Sequence, residues 1–95
     1  MSIRPNSITR MTATGDLTGG PAELLWLNIA NSATLGLAAS LFDASTPTSG
    51  ARMTIEVGAD DTYFAHFGSG YIWNTKVHVG TVDAGLIITG AFVSA

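Results

Sequence analysis

The only side chains that could exchange protons near neutral pH are His66 and His78. A catalytic histidine works beside a nucleophile and an orienting carboxylate. Neither residue stands in a local signature such as Gly-x-Ser-x-Gly. Both fall on the polar side of an alternating segment, which predicts solvent or an interface for each. Asp60-Asp61 is the only adjacent pair of carboxylates. Neighbouring strand residues point to opposite faces, and Gly58-Ala59-Asp60-Asp61-Thr62 has the composition of a turn. A calcium ion would need more oxygen ligands at ordered spacing. Gly68-Ser69-Gly70 is too short to cradle a phosphate, has no Gly-Lys-Ser/Thr after it, and predicts a turn. The chain has no cysteine, hence no thiolate for a metal and no disulfide. No catalytic, metal or cofactor-binding residue is assigned, and the chain is expected not to be an enzyme.

The remaining chemistry is that of contact. Trp26, Phe64, Tyr71 and Trp73 lie near segment ends or on the second faces of alternating runs. Large aromatics pack in cores by default, but Trp and Tyr also anchor interfaces. Arg4 and Arg10 sit in an apolar-poor start, Ser2 to Arg10, which could lie extended across a neighbour or fray. These six residues are the candidate protein interface.

Charge narrows the partners. Of the 95 residues, 46% are hydrophobic and 12% charged, with a net charge of −3; globular chains carry about 25% charge. The surface must be Thr, Ser, Ala and Gly, or be covered by protein, so a homo-oligomer is expected. Arg4, Arg10, Arg52 and Lys76 are the only basic side chains. Four scattered cations make no phosphate-binding patch, so no nucleic acid is expected. The longest apolar stretch, Ala84 to Val93, is about half of what spans a bilayer, and Met1 to Arg10 lacks the apolar stretch of a signal peptide. No membrane partner is expected.

The elements that must position these residues are strands. Turn-rich clusters recur at intervals of about 8–12 residues, the rhythm of a sandwich or barrel. In Ala22–Ala30, Leu25, Leu27 and Ile29 share one face, and Leu24, Trp26 and Asn28 the other, so both faces need cover. Leu35, Leu37, Ala39 and Leu41 alternate, which favours a strand over a helix. Met53, Ile55 and Val57 alternate with Arg52, Thr54 and Glu56 as one buried and one wet face. Thr62–Phe67, Tyr71–Val79 and Gly85–Ser94 complete the set. The expected fold is all-β: a single antiparallel β-sandwich of jelly-roll or Greek-key type with an extended N-terminal arm, and a small barrel as the alternative. Residues 1–14 would form the arm or an edge strand and 15–95 the sandwich.

The order of pieces resembles a group of small β-sandwich proteins from tailed bacteriophages. The resemblance is carried by Leu41-Phe42-Asp43-Ala44-Ser45-Thr46, Met53 to Val57, Tyr63 to Phe67, and Asn74 to Val79 running on to Leu86 to Val93. It spans about Leu24 to Val93, although the aromatic/glycine hairpin typical of the group is shorter here. The resemblance implies a virion structural protein made in the host cytoplasm. The closest role is a capsid decoration or cement protein, a homotrimer on the major capsid protein. A tail or head-fibre module that binds carbohydrate through Tyr71 and Trp73 is the alternative.

Overall fold

Eight strands follow from the alternation. They are β1 (Ser7–Met11), β2 (Gly15–Asp16), β3 (Ala22–Asn31), β4 (Leu37–Phe42), β5 (Met53–Val57), β6 (Thr62–Trp73), β7 (His78–Val82) and β8 (Leu86–Ser94). The structure is a computed structural model that describes residues 6–44, 50–82 and 85–94. Arg4 lies outside the described residues, as do residues 1–5 of the expected N-terminal arm, and Ser7–Met11 of that arm form the edge strand β1. The chain is all-β. One sheet has the order β1-β8-β3-β6, the other β2-β7-β4-β5, and every pairing is antiparallel. The two pack as a β-sandwich over one core that draws Leu24, Leu27, Ile29 and Ile88 from the first sheet and Ala39, Leu41, Ile55 and Val79 from the second.

β5 behaves as its pattern requires: Ile55 and Val57 are buried, while Thr54 and Glu56 are exposed. Three expectations are corrected. First, the apolar face of β3 is not Leu25, Leu27 and Ile29. Ala22, Leu24, Leu27 and Ile29 are fully buried and Leu25 is not. A register shift between Leu24 and Trp26 inserts one residue, and one extra residue moves a strand's side chains to the opposite face. Second, Gly68-Ser69-Gly70 is no turn between strands, because β6 runs through it. Leu24 pairs with Tyr71 and Trp26 with His66, so Leu25 alone faces the four residues Phe67 to Gly70. Gly70 sits at φ 116°, and a Cβ there would lie 3.2 Å from that of Glu23; the bulge needs a residue without one. Third, Tyr71–Val79 is not one strand. β6 ends at Trp73 and β7 begins at His78 in the other sheet. Similarly, β4 starts at Leu37, leaving Leu35 61% exposed in the preceding loop.

Candidate protein interface

The outward side of the first sheet carries the candidate site. Since Leu24, Leu27, Ile29 and Ile88 point inward, the residues alternating with them point away from the second sheet. The register places Ile8, Ala91, Trp26 and His66 in one row across β1, β8, β3 and β6. Arg10, Thr89, Asn28 and Phe64 form the next row, and Val93, Glu23 and Ile72 lie beyond the bulge. Trp26 and Phe64 stack diagonally, with ring centroids 5.9 Å apart and planes at 30°. Ile8, Phe64 and Ile72 are 66%, 57% and 58% exposed. Exposed apolar surface gathered on one face marks an interaction site, whereas single exposed residues do not. Arg10, exposed on β1, is the basic residue of this face.

The predicted interface residues therefore divide. Trp26, Phe64 and Arg10 share the outward face. Trp73 does not: it is fully buried in the core between the sheets, which corrects the expectation that it meets a partner. Tyr71 is half-buried on the inner side, packed on Phe67 and edge-on to Trp73. The Arg52 guanidinium lies over both rings, 4.2 Å from the Tyr71 centroid and 4.6 Å from that of Trp73. A cation held over an aromatic face takes the surface a sugar would stack on. Trp73, fully buried, offers no face to a sugar, and Arg52 covers one face of Tyr71.

Arg52 is held in turn by Asp43. Its Nη1 donates to Asp43 Oδ2 at 3.2 Å and to the Ile72 carbonyl at 2.6 Å. Asp43 also accepts the backbone N–H groups of Asn74, Thr75 and Lys76 at 3.0, 2.7 and 3.3 Å. These are the residues that cross from β6 to β7, so Asp43 closes the crossing. These three backbone donors lie 31 to 33 residues along the chain from Asp43. Desolvation raises the Asp43 pKa; the three N–H bonds and Arg52 outweigh it and hold the carboxyl below its ordinary 3.8.

His66 is exposed on the outward face, and its Nδ1 accepts the Gly68 N–H at 3.2 Å. His78 departs from expectation: it is buried, with Nδ1 2.8 Å from Asp16 Oδ1. The Asp16 carboxyl is held below 3.8, chiefly by that bond, against desolvation and with help from Lys76 at 3.3 Å. His78 Nε2 has no hydrogen-bond partner among the described residues. A histidine–aspartate pair is present, and no hydroxyl of the described residues stands at the nitrogen that would activate it. Asp60 and Asp61 form the expected turn: Asp61 N–H donates to Gly58 O at 3.2 Å, and Asp60 adopts φ 52°.

Ile8 and Ile72 were missed by sequence reasoning. The apolar character of both β3 faces was the available signal that something must cover the outward side. No protein-family model, no curated protein and no solved structure matches this chain.

Proposed function

We propose that this chain is a virion structural protein. In this reading it is a capsid decoration protein that binds the major capsid protein as a homo-oligomer and stabilises the phage head. The outward face of the first sheet carries the proposal, since Ile8, Trp26, Phe64 and Ile72 form an apolar surface with few charges around it. Such a surface suits a flat contact with other protein, and contacts made in parallel on a repeating shell gain avidity. Binding only to the assembled shell stabilises that state by mass action. We read the strand order as a jelly roll. Support for this comes from the alternation of successive strands between the two sheets everywhere except at β4 and β5. Eight-stranded double-sheet jelly rolls recur in viral capsid and lectin domains.

The test mixes the labelled chain with assembled, undecorated head shells of its source phage. The chain should sediment with shells and ignore unassembled capsid protein. The double variant Ile8→Asp, Ile72→Asp should keep its circular-dichroism spectrum and lose sedimentation with shells by at least about tenfold. Failure of the wild-type chain to bind shells overturns the proposal.

A further inference from the structure

Four sheet edges exist in the sandwich, and they are not alike. β2 is two residues long. β5 is five residues long, carries the exposed Glu56 and follows the exposed Arg52. β1 carries the exposed Arg10. Short strands and charged side chains are the devices that keep edges from pairing with another chain. β6 is the exception: twelve residues, Thr62 to Trp73, with no charged residue among Asp, Glu, Lys and Arg and no proline.

The far half of β6 is closed in another way. The four-residue bulge at Phe67 to Gly70 breaks the ladder, and Arg52 Nη1 occupies the Ile72 carbonyl. The near half, Thr62 to His66, has no such cover among the described residues. Asn31 N–H donates to Asp61 O at 2.9 Å, which fixes the alternation of the antiparallel ladder. Residues 61, 63 and 65 aim their backbone groups at β3; residues 62, 64 and 66 aim theirs away from it. The Thr62 N–H is taken by Asp61 Oδ1 at 2.8 Å. The N–H and C=O groups of Phe64 and His66 face outward.

We infer that two copies of this chain pair antiparallel along Phe64–His66 of β6, about a two-fold axis at Ala65. Phe64 of each copy lies opposite His66 of the other, and the two residues exchange N–H and C=O in each pair. Four backbone hydrogen bonds form without disturbing β3. The edge is self-complementary, because its donors and acceptors match under the two-fold and no like charges meet. The axis stands perpendicular to the sheet. It therefore keeps both outward faces on one side and joins them into a single eight-stranded surface of twice the docking area. This rests on the homo-oligomer half of the proposed function and is independent of the shell. It puts a two-fold where the phage resemblance implies a three-fold.

Such an edge contact is smaller than the roughly 1,600 Å² of a standard interface, so association is expected at high protein concentration. Sedimentation equilibrium of the full chain from about 10 μM to about 1 mM should show monomer and dimer. His66→Pro removes an outward N–H and keeps the inward ladder, as prolines on edge strands do. It should weaken dimerisation by at least about tenfold with an unchanged circular-dichroism spectrum. Amide exchange of the wild-type chain gives a reading that needs no variant: the Phe64 and His66 N–H groups should gain protection as concentration rises. A wild-type chain that is monomeric or trimeric throughout, equal dimerisation by His66→Pro, or Phe64 and His66 amides unprotected at every concentration would each overturn the inference. Shell binding is measured separately with Ile8→Asp, Ile72→Asp, both on the outward face, so loss of one property without the other identifies which proposal fails.

Discussion

Asn31 shows how much one buried polar side chain can organise. It is 3% exposed at the end of β3. Its Nδ2 donates to the carbonyls of Leu35, Val57 and Gly58 at 2.9, 3.0 and 3.1 Å, and its Oδ1 accepts the Ala33 N–H at 2.9 Å. The amide so ties the first sheet to the loop before β4 and to the end of β5. Asn31→Ala would orphan those backbone groups in a largely buried site. Urea unfolding should show a loss of about 1–3 kcal/mol. Asp16 and Asp43 set the response to acid. Their folded pKa values lie below 3.8, so the folded chain binds fewer protons than the unfolded one. The stabilisation is whole above the unfolded value and is lost as pH falls through the folded values. Melting temperature should drop as pH falls below about 4, and Asp43→Asn should lower it at neutral pH and flatten the decline.

Among the elements, the ladders of β3 with β6 and β8 and of β4 with β7 carry register irregularities, and β8 carries the tightest approach at a glycine. Leu17, between β2 and β3, points into the sandwich and packs on Gly90 of β8. A Cβ at Gly90 would stand 2.7 Å from Leu17 Cδ2, with two further Leu17 atoms at 3.4 Å. Leu17 is in turn placed by its backbone N–H on the Val77 carbonyl at 2.8 Å, beside the Val77 N–H on Thr18 Oγ1 at 3.0 Å. The segment has little room to give. Gly90→Ala should therefore overpack the core and cost about 1–3 kcal/mol in thermal or denaturant unfolding. The bulge in β6 works at the same scale. Tyr71 and Trp73 lie beyond it on the inner side with Phe67, where Arg52 covers them.

At the scale of the whole molecule, a 95-residue chain with 12% charged residues gathers three of the four exposed large hydrophobics among its described residues on one face. The inner faces of both sheets are filled. The outward face of the first sheet holds Ile8, Trp26, Phe64 and Ile72, and the uncharged half-edge of β6 borders the same face. Loss of shell binding in Ile8→Asp, Ile72→Asp and loss of dimer in His66→Pro test the two surfaces independently.

The period-two pattern of Met53, Ile55 and Val57 by itself determined a strand with one buried face, because alternation in a strand is local geometry. The turn-rich clusters between short alternating runs likewise determined an all-β class. Phase could not be read the same way. Which of Leu24 and Leu25 turns inward depends on a bulge that exists only when β3 meets β6 and β8. The role of Asp43 depends on backbone donors more than 30 residues away. Trp73 and Phe64 look equivalent as aromatics on alternating segments. Only the packing of one sheet on the other buries the first and leaves the second exposed, because burial is a property of what lies opposite and not of the residue itself.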